Sequence, residues 1–451
     1  MTIGERCLMK LLVAALYASS AWSQEEQPSP PPSPDTMKPD TRPLSGVESI
    51  TLGSVVGERS YLEPGFLVAQ SGDTNAQLQF GGQSELVTST VLGGRLSLEQ
   101  LGKRNQFSAA YQGGGILYEN NSQYDATFHL AGFSDSLEFR RATLILADRF
   151  SFLPGFYAGL GGLAYGGAFS FGNLGNLPAL NSSFVPARGI LTAAAGYSNT
   201  ALGQIEYRPG PRSSVTLAGA FETLSSVRQG FVSGNSAIAQ TGYNRRLTAQ
   251  DTIGVFYSAS AFRFSGIAES FDAQFVAFGY ARRITGRLAF QVFGGPQVFS
   301  ATTPGHSKTN TLASGGASLT YRWPRMEASL NLFRGLTSGA GVVAGAETSS
   351  ATLRWERRFS RAFSGALWTG YSYNFAAYTP SLARSQAFDY WESSANLTRA
   401  LGRYARLNLF YGFQTQHSNL LFATSRQATG RSVLRSFFGV TFDFTYRTLG
   451  I

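Results

Sequence analysis

Histidine and serine side chains are the first candidates for chemistry in this sequence. The chain has three histidines, His129, His306 and His417, and Ser418 directly follows the last of them. A serine nucleophile needs a facing histidine base and a third group that orients the base. Neighbouring residues of a strand point to opposite faces, so His417 and Ser418 do not predict a hydrolase. Three scattered histidines do not predict a metal site. We therefore expect no catalytic residues, no metal, no cofactor and no enzyme activity.

Two glycine-rich runs resemble phosphate-binding loops only in composition. They cover residues 113–117 (GGGIL) and 159–176 (GLGGLAYGGAFSFGNLGN). Neither has the Gly-Lys-Ser/Thr ending or the strand-to-helix context of such a loop, so neither predicts a nucleotide site. Two hypotheses remain open for residues 159–176: an inward-folded constriction of a channel, or a loop that is flexible or packed on the surface.

Charged residues recur at alternate positions of long, two-faced segments. Period-two alternation gives a strand one apolar and one polar face, as in RMEASLNLFR (325–334). Seven charged residues fall on the polar faces by this parity and are candidate lumen-lining residues of a barrel: Glu327, Arg354, Glu356, Glu392, Arg406, Arg435 and Asp443. Both signs of charge are present. The predicted lumen is therefore mixed in charge, which weakens the alternative of an anion-selecting lumen.

The elements that would position these residues are long strands. The alternating segments commonly run for ten to fourteen residues, whereas globular strands cluster near five or six and a tilted membrane strand needs about 9–11. Their polar faces are rich in Ser, Thr, Gly, Asn, Gln and Arg, which suits a wet interior. Short and long connections also alternate, which is typical of an outer-membrane barrel. A soluble sandwich is the alternative that these features disfavour.

The fold class predicted is all-β, a transmembrane antiparallel up-and-down β-barrel of about 18 strands, with 16 as the alternative. Eight hairpins pair residues 88–99 with 104–116, 121–131 with 138–148, 200–208 with 212–222, 235–244 with 248–263, 271–282 with 286–297, 312–322 with 325–334, 347–358 with 361–374, and 386–399 with 403–416. Longer stretches between them include 149–199, 298–311, 335–346 and 417–432. The C-terminal strand makes seventeen. Because such barrels have an even strand number, one more strand is expected before residue 88, and residues 75–80 (NAQLQF) are the best candidate.

Arginines are concentrated in the predicted short turns. The chain has 37 Lys and Arg against 27 Asp and Glu, a net charge of +10. Several turns are arginine-rich: RRITGR (282–287), RWPR (322–325), RRFSR (357–361) and RALGR (399–403). We interpret most of the excess charge as a solvated rim of the barrel. Nucleic acid is not expected as a partner of an exported chain.

The residues before the barrel are predicted to serve export and attachment. Residues 1–23 have a basic start, an apolar core and an Ala21-Trp22-Ser23 cleavage site, which indicates a signal peptide. The only cysteine, Cys7, lies within it, so no disulfide is expected in the exported protein. Residues 24–43 form a Pro-rich periplasmic linker. Residues 44–74 form an N-terminal segment that is a possible plug or docking piece, and residues 75–451 form the outer-membrane β-barrel.

The C-terminal strand carries the pattern Gly439-x-x-Phe442-x-Phe444. This resembles the last-strand signal that the outer-membrane assembly machinery recognises in its clients. The resemblance implies a candidate assembly signal at Gly439, Phe442 and Phe444. In architecture, residues 44–451 are similar to Gram-negative outer-membrane β-barrel porins. That resemblance implies localisation to the cell outer membrane, with its lipid and the assembly machinery as partners.

Three functions are compatible with these features. The leading hypothesis is a porin-like passive channel for small hydrophilic solutes. The alternatives are a component of polysaccharide export, in which residues 24–64 contact a periplasmic partner, and a plugged structural or adhesive barrel. The export hypothesis rests on a resemblance, because some outer-membrane barrels of this kind are associated with exopolysaccharide secretion. Neither the substrate nor the oligomeric state follows from the sequence.

Overall fold

The fold is a closed sheet of long antiparallel strands. The computed structural model describes residues 44–45, 60–75, 86–119, 122, 125–153, 196–226, 233–265, 270–303, 306–337, 345–377, 387–418, 431–446 and 449–450. The predicted signal peptide, the Pro-rich linker and the glycine-rich run at 159–176 lie outside these residues. Among the described residues no helix is long and apolar enough to span a membrane.

Eighteen strands form the barrel wall. They are β1 (Tyr61–Asp73), β2 (Val87–Leu101), β3 (Asn105–Tyr118), β4 (Ala126–Glu138), β5 (Ala142–Leu153), β6 (Gly196–Gly210), β7 (Ser213–Ser226), β8 (Ser233–Arg246), β9 (Asp251–Ser265), β10 (Ser270–Arg283), β11 (Leu288–Thr303), β12 (His306–Trp323), β13 (Met326–Thr337), β14 (Ala346–Arg358), β15 (Phe363–Ala376), β16 (Ala387–Ala400), β17 (Ala405–Ser418) and β18 (Arg431–Thr445). A two-residue strand, β19 (Leu449–Gly450), pairs with the start of β1.

The sheet closes where the last long strand meets the first. Each strand pairs with its neighbour in sequence, and β18 pairs antiparallel with β1 from Gly65↔Thr445 to Asp73↔Phe437. We call this β18–β1 pairing the seam. Closure removes the unpaired backbone groups that an open edge would expose to lipid. The predicted eighteen-strand barrel is confirmed, and the sixteen-strand alternative is wrong.

The first strand begins earlier than predicted. It is β1, Tyr61–Asp73, so residues 61–73 belong to the barrel wall and not to a separate N-terminal segment. The candidate at 75–80 was wrong at residue 75, which lies in a turn, and residues 76–80 lie outside the described residues. The signal was weak because Leu67 and Ala69 on the inner face are apolar too. Pro64 also interrupts the run, and proline demotes a strand prediction.

Two predicted connections are also corrected. The turn between β4 and β5 lies at 139–141, because strand pairing continues to Glu138. Most of the expected long stretch at 298–311 is strand, since β11 and β12 pair from Leu288↔Tyr321 to Thr303↔His306. The polar residues that suggested a loop there belong to the ends of β11 and β12 that lie away from the short turns.

The two faces of the sheet differ sharply. Large apolar side chains stand exposed on the outer face, for example Phe278 (68%) and Leu434 (63%). Six large aromatic side chains alternate onto this outer face by strand parity: Tyr321, Trp323, Trp355, Tyr371, Trp391 and Tyr446. The inner face carries the buried polar and charged side chains, together with buried apolar ones such as Phe262, Phe271 and Phe299. An apolar exterior around an interior with polar and charged side chains is the pattern of a transmembrane barrel.

Candidate functional site

The candidate site is the inner face of the barrel. Residues that pair directly across neighbouring strands share a face of the sheet, so the strand register connects distant positions. Glu327 pairs with Glu356, and Arg406 pairs with Asp443. Followed around the barrel, the register places all seven candidate lumen-lining residues on this inner face: Glu327, Arg354, Glu356, Glu392, Arg406, Arg435 and Asp443.

A charged network crosses the seam towards the end of the barrel where the long connections lie. The Arg435 Nε donates to Asp73 Oδ2 at 2.6 Å, and the pair is almost fully buried, at 3% and 0% side-chain exposure. Arg435 Nη1 also donates to Gln414 Oε1 at 3.4 Å. The Glu392 carboxylate accepts from Tyr390 Oη at 2.6 Å and from Gln414 Nε2 at 3.5 Å. The network therefore joins β1 to β16, β17 and β18. We call the Arg435–Asp73 contact the buried ion pair.

A second ion pair reaches across β1 nearer the short turns. The Arg95 Nη1 of β2 donates to Asp443 Oδ2 of β18 at 2.7 Å. Its Nη2 lies 3.5 Å from Glu63 Oε1 and also donates to Thr445. Arg95 passes over Gly65 of β1, where an added Cβ would lie 2.8 Å from Arg95 Nε. Glycine at 65 is therefore needed for this side chain to bridge the seam.

Three other candidates, Glu327, Arg354 and Glu356, form more exposed ion pairs near the short turns. Arg322 Nε lies 3.2 Å from Glu327 Oε2, with both side chains more than a third exposed. Arg354 pairs with Glu356 on its own strand. Because both signs alternate here, the inner face is mixed in charge as expected. Exposed pairs of this kind add little stability.

The N-terminal segment contacts the opposite wall from inside. β9 and β10 lie half a turn around the barrel from β1, and Leu44 packs against Phe256, Ala277 and Phe293 of this wall. Leu44 is 5% exposed and Ser45 is fully buried. These two residues are thus held within the barrel on the side away from the seam.

Ser45 has a hydrogen-bond partner for each of its polar groups. Its backbone N–H donates to Asn244 Oδ1 at 3.1 Å, and its carbonyl accepts from Gln240 Nε2 at 2.5 Å. Its Oγ accepts from Asn244 Nδ2 at 2.6 Å and donates to Thr216 Oγ1 at 3.3 Å. An added Cβ at Gly242 would lie 2.2 Å from Ser45 Cβ. We call this group of wall residues, Thr216, Gln240, Gly242 and Asn244, the anchor site.

The anchor site, Asp73 of the seam and Arg95 of β2 were not predicted from the sequence. Gly242, Gly254 and Gly279 lie within four residues of the short-turn ends of β8, β9 and β10, and Gly254 pairs with both Asn244 and Gly279. Three glycines on adjacent strands leave room at the wall for Leu44 and Ser45. Only the strand register indicates this space. The alternation of apolar and polar residues in the sequence does not predict the register.

The candidate assembly residues occupy both faces of β18. Phe442 and Phe444 are on the outer face, and the ring of Phe444 lies 5.0 Å from that of Phe66 across the seam. Gly439 is on the inner face. An added Cβ there would meet Gln70 O at 2.4 Å and Phe410 Cζ at 2.6 Å. The glycine therefore permits close packing where the seam forms.

The histidines are scattered. His129 lies on the outer face, where Tyr111 Oη and its Nδ1 are 2.9 Å apart, and His417 is exposed on the outer face of β17. The His306 and Ser418 side chains lie outside the described part of the chain. No group of three His, Cys, Asp or Glu side chains that could hold a metal occurs among the described residues.

Comparison with known proteins found similar folds among solved structures. OpdQ of Pseudomonas aeruginosa is 11% identical, with 86% of this chain and 99% of that chain covered and a TM-score of 0.43. The same organism's OccK2 (OpdF), solved in complex with glucuronate, is 10% identical with the same coverage and a TM-score of 0.43. OccAB3 of Acinetobacter baumannii is 11% identical, with 86% and 99% coverage and a TM-score of 0.43. No protein-family model matches the chain, and no curated protein matches it.

Proposed function

We propose that this protein is an outer-membrane channel through which small hydrophilic solutes diffuse passively. The observation that carries the proposal is a closed eighteen-strand wall with an apolar outer face and an inner face that carries polar side chains and charges of both signs. Barrels of 16 to 18 strands are wide enough to hold an aqueous channel. The inner ion pairs, such as Arg322–Glu327, present both charge signs to a passing solute.

The first expected result is conductance. Purified, folded protein inserted into a planar lipid bilayer should give discrete current steps. The steps should show no strong preference for anions over cations, because the inner face carries both charge signs. Measuring single-channel current and reversal potential in a salt gradient checks this. Folded, inserted protein without current steps would contradict the channel.

The N-terminal segment supports a refinement of this proposal. Leu44 and Ser45 are buried against the inner wall near the short-turn end, so these two residues occupy part of the lumen. We propose that the anchor site holds the N-terminal segment inside the barrel and narrows the channel.

The export alternative loses part of its basis. It assigned residues 24–64 to a periplasmic partner. Leu44 and Ser45 are instead buried inside the barrel, and residues 61–64 belong to β1. These parts of the segment are therefore not available to a partner in this structure.

We also propose that Gly439, Phe442 and Phe444 act as the assembly signal. Replacing Phe442 with Glu should sharply lower the amount of folded barrel in cells, because the machinery would no longer recognise the last strand. Heat-modifiable migration on a denaturing gel measures the folded fraction. In purified lipid, where the assembly machinery is absent, Phe442→Glu should lower the folded fraction far less.

A matched control separates recognition from the cost of a charge in lipid. Leu407 of β17 pairs directly with Phe442 and lies at the same depth on the same outer face. Leu407→Glu therefore bears the same depth-dependent cost, under about 2 kcal/mol for an acidic residue. Equal losses for Leu407→Glu and Phe442→Glu in cells would reject the signal.

A further inference from the structure

The short turns carry charge of only one sign. The eight turns are residues 102–104, 139–141, 211–212, 247–250, 284–287, 324–325, 359–362 and 401–404. Every charged residue in them is a cation: Lys103, Arg104, Arg140, Arg141, Arg212, Arg287, Arg325, Arg361 and Arg403. Short turns of such barrels lie on the periplasmic side. These turns form a basic rim at this end of the barrel. A passive channel does not require such a rim.

Three arginines at this rim lie over aromatic rings. The Cζ of Arg287 is 3.9 Å from the centroid of the Trp323 ring. Arg399 lies 5.4 Å from the Phe363 ring, and Arg357 lies 5.8 Å from that of Phe359. The rings are 50%, 37% and 46% exposed, in that order. We call Arg287, Arg357 and Arg399 the stacked arginines.

The strand parity turns this group outward. Trp323 and Arg357 are each next to a residue of the inner face, Arg322 and Glu356, and therefore point the other way. Arg399 pairs with Phe363 and Leu407 on the outer face. Above them on the same face stand exposed leucines, including Leu353 and Leu397. The stacked arginines therefore border the surface that meets lipid.

No described carboxylate pairs with the stacked arginines. Arg357 faces Met326 and Gly365 across its strand pairs, and the acidic residues nearby, Glu327 and Glu356, pair on the inner face with Arg322 and Arg354. A guanidinium stacked on a ring keeps its N–H edge available and matches a phosphate bidentately. The group is therefore suited to an anionic ligand that approaches at the interface.

We propose that the stacked arginines bind the phosphate groups of anionic phospholipids in the leaflet that faces the periplasm. The ligand is a lipid because the site combines exposed aromatic rings, outward guanidinium groups and an adjoining apolar surface. An acidic cell-wall polymer would approach from the aqueous side, where Arg325 and Arg361 lie, and would not need that surface. The proposal rests on the membrane position given under the proposed function.

The test is the thermal unfolding of the full-length folded protein in neutral detergent micelles. Phosphatidylglycerol is titrated in, with phosphatidylcholine as the neutral comparison. The wild-type protein should unfold at a higher temperature with phosphatidylglycerol than with phosphatidylcholine. The triple variant Arg287→Gln, Arg357→Gln, Arg399→Gln should lose this difference. Flotation with liposomes is scored separately, so failure of membrane insertion is distinguished from failure of lipid recognition.

The matched control removes the same charge elsewhere on the rim. Arg104→Gln, Arg140→Gln and Arg212→Gln lie in three other short turns and should keep the phosphatidylglycerol shift. Equal loss in both triple variants would overturn the proposal in favour of general charge attraction. If the glutamine variant does not fold, the triple lysine variant keeps the charge but not the planar fork, and it should show a reduced shift; an undiminished shift would count against the site.

Two further arms distinguish the ligand source. Inorganic phosphate alone should not reproduce the shift, because it lacks the acyl chains that meet the apolar surface. A soluble acidic cell-wall fragment should not reproduce it either. A shift of the same size with either probe, lost in the stacked-arginine variant, would overturn recognition of lipid.

Discussion

Deleting residues 24–45 is expected to raise the single-channel conductance, because an eighteen-strand barrel leaves a wide aqueous channel when nothing occupies it. The deletion removes Leu44 and Ser45, which are buried against β7 to β11 and which we propose hold the N-terminal segment inside the lumen. The barrel itself should stay folded, since β1 begins only at Tyr61. Single-channel recording in a planar bilayer measures the change, and unchanged conductance would contradict the restriction.

A disulfide tests the same contact without removing any chain. Ser45 Oγ lies 3.3 Å from Thr216 Oγ1, so Ser45→Cys with Thr216→Cys should cross-link on oxidation. The only native cysteine is Cys7, in the predicted signal peptide. The oxidised variant should keep the conductance of the wild-type protein and lose any steps to a higher conductance. Reduction of the disulfide should restore those steps.

The matched control places a disulfide in the wall alone. Ser71 Oγ and Ser89 Oγ are 3.0 Å apart on paired positions of β1 and β2. Ser71→Cys with Ser89→Cys should cross-link without changing the conductance between oxidised and reduced protein. Failure of the Ser45–Thr216 pair to cross-link in a folded barrel, where the Ser71–Ser89 pair succeeds, would reject the anchor site.

Replacing Arg435 with Leu should destabilise the folded barrel by about 3–5 kcal/mol, because it leaves a fully buried carboxylate at Asp73 without its cation. The buried ion pair joins the first strand to the last, so the loss weakens the seam. Urea unfolding in lipid vesicles measures the free energy of unfolding. Replacing both Arg435 and Asp73 with Leu should recover most of the loss, since a buried pair replaced by apolar residues is often neutral.

A half-exposed pair provides the comparison. Arg322 and Glu327 are 51% and 37% exposed, and such pairs contribute roughly 0–1 kcal/mol. Arg322→Leu should therefore change the free energy of unfolding by less than about 1 kcal/mol. If Arg322→Leu and Arg435→Leu lowered the free energy of unfolding by similar amounts, burial at the seam would not explain the contribution of Arg435 to stability.

Alternation in the sequence was enough to predict the barrel, because lipid outside and water inside give most strands two distinct faces. It placed Arg435 and Asp443 on the correct face of β18. It failed at β1, where Leu67 and Ala69 make the inner face apolar as well. Arg95 and Asp73 escaped notice because their partners lie on β18, and pairing between distant strands is not encoded locally.

The anchor site escaped prediction for a related reason. Ser45 binds Thr216, Gln240 and Asn244, which lie far along the chain on two strands. In the sequence, each of these residues is indistinguishable from the other polar residues of its own strand. Only closure of the sheet brings Gly242 and Asn244 into reach of a segment that precedes the barrel.

The bridge from Arg95 to Asp443 bears on the order in which the molecule folds. Arg95 reaches Asp443 only across Gly65, so the contact requires β1 to be seated between β2 and β18. Seam partners such as Leu67 and Asp443 are far apart in sequence, and contacts of this kind form slowly. Ring closure is therefore expected to be the last and rate-limiting event of folding. Before closure Asp73 lacks its partner Arg435. The unclosed barrel is therefore expected to be a short-lived species.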